Sequence, residues 1–312
     1  VDGVWMDGDE FDVTSIGERA FRGCSGLTGE LVIPEGVTSI GNGAFQYCSG
    51  LTSITLPSSL TSIGNQAFED CRALIEINYN AVSVTDLSSS NYVFYCAGQN
   101  AAGIMVNFGE GVKNIPSFLF YPTPHVLSSD PNIEVVNFSS TITSIGDYAF
   151  YDCSGLTGEL VIPEGVTSIG NSAFEDCGGL TSIDLSNCTS LTSIGNSTFS
   201  GCSGLKGELV IPEGVTSIGN DAFRFCGRLT GELVIPEGVT SIGERAFQDC
   251  SGLTGELVIP EGVTSIGNGA FSGCSGLTSI DLSNCTSLTS IGDSAFSGCS
   301  GLTGELVIPE GV

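Results

Sequence analysis

A unit that recurs along the chain constrains its fold more than any other feature of the sequence. The stretch 229–250 reads LTGELVIPEGVTSIGERAFQDC. An internal repeat with a period of about 20–50 residues is the signature of a solenoid, in which each coil stacks on the next. Nearly the same residues occur at 27–48, 156–177, 205–226 and 253–274, and a fragment of the unit stands at 302–312.

The apolar residue of a Ser-Ile-Gly tripeptide marks each coil, and a Phe usually follows it by five positions. This spacing predicts about 12 coils of 23–30 residues. The markers are Ile16, Ile40, Ile63, Leu87, Ile115, Ile145, Ile169, Ile194, Ile218, Ile242, Ile266 and Ile291.

Two extended segments are predicted in each coil. Leu229, Leu233 and Ile235 suit a β-strand, in which inward and outward side chains alternate. A Pro-x-Gly corner follows, and residues 239–242 then form a shorter extended arc. No coil buries its own apolar face, so we expect the coils to stack with parallel strands about 4.8 Å apart.

The segment after Gly243 is predicted to form a short helical turn. Ala246, Phe247 and Cys250 fall at spacings that suit one or two turns of helix. In other coils Asn or Asp follows this glycine, and both are good helix N-cap residues. These predicted N-caps are Asn42, Asn171 and Asp293.

These motifs resemble the BspA-like class of leucine-rich repeats. The matching elements are the spaced Leu residues before Ile-Pro, the Val-Thr-Ser-Ile-Gly arc, the Ala-Phe pair and the Cys, and they cover residues 13–312. The resemblance implies an α/β repeat solenoid with a parallel β-sheet, short second arcs and short helical turns. It also implies a cell-surface or secreted protein whose repeats serve adhesion and interaction.

The pattern predicts one continuous solenoid over residues 13–312, preceded by an irregular acidic segment at 1–12 in which Trp5 could cover the open end of the core. We call residues 80–131 the waist, because two coils lengthen there while Val106 and Phe108 keep their core positions. Extra residues in a solenoid loop out on one face. The last coil stops at Val312 without the polar cap that terminal repeats need, which indicates a fragment of a longer chain.

The charge balance restricts the classes of partner. Eight Lys and Arg stand against 35 Asp and Glu, a net charge of −27. Nucleic acids and anionic membranes attract basic surfaces, so we expect neither as a partner. No apolar run of about 18 residues predicts membrane insertion. The expected partner is a protein or glycan, with a preference for basic ligands.

Carboxylates recur at two positions of the unit. Stacking brings like carboxylates within about 5 Å of each other, and Ca²⁺ prefers such oxygens. A calcium-binding ladder and a solvated polar edge are both open; the lack of an Asp-rich calcium loop favours the polar edge. The candidate ladder consists of Glu208, Glu232 and Glu256 after Gly, and Glu213, Glu237 and Glu261 after Pro.

The 13 cysteines raise the question of disulfides or a metal site. Ten follow the repeat Phe by three positions, Cys96 nearly matches, and Cys188 and Cys285 lie in a variant corner reading LSNCTSL. A column that points inward favours free thiols, because parallel Cβ directions oppose bridging. The chain has one histidine and no Cys-x-x-Cys pair, so we expect no metal site of that type.

Nothing in the sequence is typical of a catalyst. His125 stands between prolines in the waist, without a nearby nucleophile or pair of carboxylates, and is predicted to be a loop residue. No phosphate-binding glycine loop occurs, and we expect no cofactor. We therefore expect a protein that is not an enzyme.

Four Asn-x-Ser/Thr sequons are candidate glycosylation sites if the protein is secreted by a eukaryote. The variant corner is expected to expose the two that lie within it. Thr residues of the second arc are expected to form an outward ladder. The sequons begin at Asn137, Asn187, Asn196 and Asn284.

Two functions remain open on this evidence. The first is an extracellular or cell-surface interaction and adhesion module that uses the solenoid face, with the waist adding specificity. The second is a structural building block, in which nearly identical coils associate end to end into a filament or surface layer. The near-identity of the coils favours the second, whereas an irregular waist is not needed in a pure spacer and favours the first.

Overall fold

The computed structural model describes residues 4–6, 9–122, 131–309 and 312, with the backbone alone before residue 12. The chain folds into two compact units. Unit 1 comprises Val1–Ile142 and Tyr148–Leu156, and unit 2 comprises Thr143–Asp147 and Thr157–Val312. The single domain expected from the repeat stays a prediction.

Short strands from the leucine segments alternate along the chain with two-residue strands, nearly all at Ser-Ile. The strands are β1 Val4–Met6, β2 Asp9–Phe11, β3 Ser15–Ile16, β4 Gly29–Val32, β5 Ser39–Ile40, β6 Leu51–Leu56, β7 Ser62–Ile63, β8 Glu76–Tyr79, β9 Ile104–Phe108, β10 Asn114–Ile115, β11 Ile133–Asn137, β12 Ser144–Ile145, β13 Gly158–Val161, β14 Ser168–Ile169, β15 Leu180–Asp184, β16 Ser193–Ile194, β17 Ser217–Ile218, β18 Gly231–Glu232, β19 Ser241–Ile242, β20 Leu253–Val258, β21 Ser265–Ile266, β22 Leu277–Asp281 and β23 Ser290–Ile291.

The strands pair in parallel from turn to turn within each unit. Unit 1 has a five-stranded sheet in the order β11-β9-β8-β6-β4 and a second sheet β3-β5-β7. Unit 2 has the sheets β13-β15 and β18-β20-β22 beside the ladder β16-β17-β19-β21-β23. The parallel solenoid is thus confirmed, with about 11 turns marked by a two-residue strand; Leu87 lies outside any strand. The pair β1–β2 is antiparallel.

Each turn buries the same positions, and a column of Phe rings runs through the core. Leu233, Ile235, Val239 and Phe247 of one turn are all at most 5% exposed. Stacked aromatic pairs contribute about 0.5–1.5 kcal/mol each beyond their buried area. Ring centroids are 5.1–5.4 Å apart along Phe21, Phe45, Phe68, Phe94, Phe120 and Phe150 in unit 1, and 5.4–5.7 Å apart along Phe174, Phe199, Phe223, Phe247, Phe271 and Phe296 in unit 2.

The predicted helical turns are wrong: the described residues contain no helix. After each Ser-Ile strand the chain forms a series of turns whose backbone N–H groups point to the next coil. Asp221 and Phe225 have positive φ, 55° and 62°, and Asp221 donates to the carbonyl of Glu244 at 2.7 Å. A right-handed helix needs negative φ at every residue and would use these donors within one segment. Bonds between turns therefore replace bonds within a helix.

The predicted N-cap residues consequently have another role. Asn42 accepts through Oδ1 a hydrogen bond from the backbone N–H of Asn65 at 2.9 Å, and Asn171 does the same for its counterpart one turn later. Asp293 donates its own N–H to Oδ1 of Asn268 at 2.8 Å. The amide side chain satisfies a donor that an N-cap would also satisfy, but the donor belongs to the neighbouring turn.

Glycine is required at two positions of the turn for different reasons. A Cβ on Gly243 would lie 2.5 Å from the backbone nitrogen of Asn220, so stacking leaves no room for a side chain. Gly255 has φ of +82° at the irregularity in register between it and Glu256. Such a bulge accommodates the extra residue of the Gly-Glu-Leu turns, and positive φ favours glycine there.

The thiols are free, as expected. Cys24 is half-buried and the other twelve cysteines are buried. Thiols donate to the carbonyl of the Phe one turn earlier, as Cys250 does to Phe223 at 3.0 Å. Burial, with a smaller effect of Asp184, raises the pKa of the Cys188 thiol to about 11. Because the thiolate is the reactive species, the column is protected from oxidation and alkylation.

We expect Gly243→Ala to destabilise unit 2 by roughly 1–3 kcal/mol, because the added methyl forces two stacked turns apart. Urea unfolding followed by circular dichroism measures this change. Gly17→Ala is the matched control, since Gly17 holds the same motif position and a Cβ there would meet no described atom within 4 Å. Equal stability of the two variants would contradict steric exclusion.

Alkylation of the native chain should label Cys24 first. The remaining thiols should react only as the chain unfolds, because burial disfavours their thiolates. Peptide mapping by mass spectrometry after a short iodoacetamide pulse measures the label at each cysteine. Rapid native labelling of Cys226 or Cys250 would contradict the buried column, and Cys24→Ser should remove the early label.

Candidate functional site

The outward positions of the unit 2 strands form a regular surface. In β20, Leu253 and Leu257 are buried, whereas Thr254, Glu256 and Val258 are exposed. Alternation therefore sets a column of carboxylates beside a column of valines. We call this surface the sheet face, and its residues are Glu159, Val161, Glu208, Val210, Glu232, Val234, Glu256 and Val258.

The valine column was missed in the sequence analysis, which followed the inward residues alone. Val161, Val210, Val234 and Val258 are 52%, 53%, 62% and 42% exposed. A β-branched apolar side chain repeated at one outward position makes a stripe rather than a scattered set. The period of two in Glu-Leu-Val-Ile was the signal that could have predicted it.

The six carboxylates of the candidate calcium ladder are all exposed. Glu256 accepts a hydrogen bond from the Ser279 hydroxyl and Glu261 from the Thr286 hydroxyl, both at 3.3 Å. Within the described ranges, no group of three His, Cys, Asp or Glu side chains could hold a metal ion. The remaining members are Glu208, Glu213, Glu232 and Glu237, and calcium binding by the ladder stays a prediction.

Unit 1 replaces the outward valines by amides. Asn78 donates to the Thr55 hydroxyl at 3.3 Å, Asn107 to Asn78 Oδ1 at 2.9 Å, and Asn137 to Asn107 Oδ1 at 2.7 Å. Side-chain amides have both donors and acceptors, so one ladder satisfies each turn from the next. Unit 1 therefore presents a polar ladder where unit 2 presents an apolar stripe.

The four sequon asparagines are exposed. Asn187 and Asn284 lie in the variant corner, as expected. The other two take part in contacts between turns: Asn137 donates its amide as described above, and Asn196 accepts from the N–H of Asn220 at 2.8 Å. Glycosylation of any of them stays a prediction.

The threonine ladder of the second arc is exposed as predicted, but its hydroxyls are engaged. Thr240 donates to the carbonyl of Thr216 at 3.2 Å, and Thr264 donates to that of Thr240 at 3.2 Å. These hydroxyls therefore add to the bonds between turns as well as to the polar surface.

Four aromatic side chains of unit 1 cluster at the surface beside the core Phe column. Phe118 and Tyr148 stack at 5.0 Å between ring centroids, and Tyr121 stands nearly perpendicular to both, at 5.2 and 5.7 Å. Tyr151 lies 5.3 Å from Tyr121 and 5.7 Å from Tyr148. All four are half-buried. We call them the aromatic quartet.

The waist contributes two of these rings, Phe118 and Tyr121. His125 lies outside the described residues, as do the side chains of Trp5 and its neighbours. An apolar cavity of about 470 Å³ opens at the first turn, with Val13, Phe21 and Leu27 in its lining. Among the described residues, no helix is long and apolar enough to cross a membrane.

Two carboxyl groups differ from the exposed ladder in being partly or wholly removed from water. Glu69 is 6% exposed, and its carboxylate accepts from the amide of Gln46 at 2.6 Å. Glu175 is half-buried. Burial is the main cause that raises the pKa of both carboxyl groups. Their ionised forms are therefore costly in the folded chain.

This sets the pH dependence of stability. A carboxyl group whose pKa is higher folded than unfolded stabilises the fold below its unfolded pKa, and the effect is lost as pH rises through the folded value. We expect the urea midpoint to be higher at about pH 5.5 than at about pH 7.5. Glu175→Gln should reduce this difference, whereas the exposed Glu237→Gln, with the same charge change, should preserve it. A pH difference unaffected by Glu175→Gln would contradict the assignment.

Solved structures of other leucine-rich repeat proteins share this architecture. A leucine-rich repeat protein from Bacteroides ovatus is 28% identical, with a TM-score of 0.57, and the match covers 96% of this chain and 83% of that one. A leucine-rich repeat protein from Eubacterium ventriosum is 24% identical, with a TM-score of 0.52, covering 84% and 74%. The second likeness concerns the fold alone. No curated protein sequence matches the chain.

Family comparison agrees with the repeat pattern over nearly the whole chain. The BspA type leucine rich repeat region matches residues 14–130, 123–254 and 230–312, in six copies. These ranges include both units, the sheet face and the aromatic quartet. The chain belongs to the BspA-type leucine-rich repeat family.

Proposed function

We propose that this chain is a non-enzymatic interaction module, extracellular or on a cell surface, whose sheet face binds a protein or glycan partner. Leucine-rich repeat proteins are typically protein-interaction modules, and the extracellular location is the one that the BspA-type repeat implies. The observation that carries the proposal is the outward pairing of Val and Glu columns over several turns of unit 2.

The chemistry of the sheet face favours a partner with both apolar and basic groups. Burying a valine side chain contributes about 1.5–3 kcal/mol. The neighbouring carboxylates, in a chain of net charge −27, attract basic ligands and repel acidic ones. An extended row of equivalent sites also suits a partner that is itself extended or repetitive.

The test is a binding screen against purified extracellular proteins and glycans that include basic and acidic members. A triple variant, Val210→Ser, Val234→Ser and Val258→Ser, should weaken binding of a captured partner by more than about tenfold, since three apolar contacts are lost. The matched control is Thr216→Ser, Thr240→Ser and Thr264→Ser, which changes three exposed residues of the second arc. Equal binding by both triple variants would exclude the sheet face.

Self-assembly into a filament or surface layer is the second candidate. Near-identical turns with the same outward columns support it, because one copy matches another in several registers. Electron microscopy over a range of protein and Ca²⁺ concentrations separates the two functions. Regular polymers favour the building block, and a monodisperse chain under all conditions favours ligand binding.

A further inference from the structure

We propose that the aromatic quartet is a second binding site, which takes an arginine-bearing basic segment of a partner protein. Its residues are Phe118, Tyr121, Tyr148 and Tyr151, none of which belongs to the sheet face. The proposal stands on ring geometry, on arginine contacts elsewhere in the same chain, and on local charge.

The quartet offers ring planes in two orientations. Tyr121 is inclined by 83° to Phe118 and by 87° to Tyr148, while Phe118 and Tyr148 are within 10° of parallel. A guanidinium group is planar and stacks on aromatic faces, and its N–H groups remain able to reach acceptors at the edge. Rings held against one another lose little further freedom when a ligand binds.

The chain already uses arginine in this way at equivalent positions. Arg22 lies over the ring of Tyr47 at 5.4 Å from its centroid, and Arg224 lies over Phe225 at 4.2 Å. Arg22 and Arg224 each follow a repeat Phe by one residue. Tyr121 and Tyr151 occupy that position after Phe120 and Phe150. The turn backbone is therefore compatible with guanidinium–ring contacts at this place in the repeat.

Local charge selects a cation over a neutral ligand. The sequence has no Lys or Arg between Lys113 and Lys206. Asp147 and Asp152 stand next to Tyr148 and Tyr151 in the sequence, and the chain as a whole carries −27. A basic segment is attracted both by this field and by the negative faces of the rings. A neutral oligosaccharide would gain from the rings alone.

The probe is a fluorescent peptide in which Arg alternates with Gly, compared with the same peptide carrying uncharged citrulline. Fluorescence anisotropy at physiological salt measures its affinity for the full chain. We expect Tyr121→Leu with Tyr151→Leu to weaken arginine-peptide binding about tenfold at unchanged net charge, and the citrulline peptide to bind at least as weakly. Tyr121→Phe with Tyr151→Phe should retain binding, because the rings remain.

Tyr47→Leu is the matched control, since its ring is already covered by Arg22, and it should leave the affinity unchanged. The sheet-face triple variant should also bind the peptide normally, which separates this proposal from the preceding one. If the double leucine variant unfolds, the single variants provide the same comparison. Affinity that is insensitive to both tyrosines would mean general attraction to an acidic surface and would overturn the proposal. Selective binding of neutral oligosaccharides at the quartet would overturn it as well.

Discussion

Hydrogen bonds between successive turns are the interaction on which the rest of this structure depends. They run along the paired strands and continue through the segment after each Ser-Ile strand, where Asp221 and Phe223 donate to the turn that follows. A turn that is bonded to its neighbour over most of its length must repeat the neighbour's backbone. This requirement explains why the sequence repeats closely, because any residue with a different conformation would break several bonds at once.

The same bonds offset a conformational cost. Seventeen non-glycine residues with positive φ occur in the described chain, among them Arg245 and Asp249. Residues in such regions cost on the order of 1–3 kcal/mol each and persist only where the surroundings hold them. Here the stacked Phe column and the bonded N–H groups hold them. The cysteine column fits the same arrangement, since a small thiol fills the space behind the ring and donates to a carbonyl of the preceding turn.

Because stacking determines the inward residues and the glycines, only outward positions are free to carry specificity. Unit 2 places valine and glutamate there, unit 1 places linked asparagines, and the turns around residue 120 place tyrosines. The proposed functions of the sheet face and of the aromatic quartet follow from this division. One surface is regular and suits an extended partner, and the other is local and suits a single basic segment.

The sequence by itself determined the period, the inward positions, the free thiols and the parallel stacking, because these depend on spacing and on the pattern of apolar residues. It could not show that Ala246, Phe247 and Cys250 lie in a non-helical turn, since their spacing suits a helix equally well and the donors' partners lie one turn away. The tertiary structure alone decided that choice, and it also brought Phe118 and Tyr121 of one turn against Tyr148 and Tyr151 of the next. Contacts between turns arise from stacking, so they become visible only when the turns are in place.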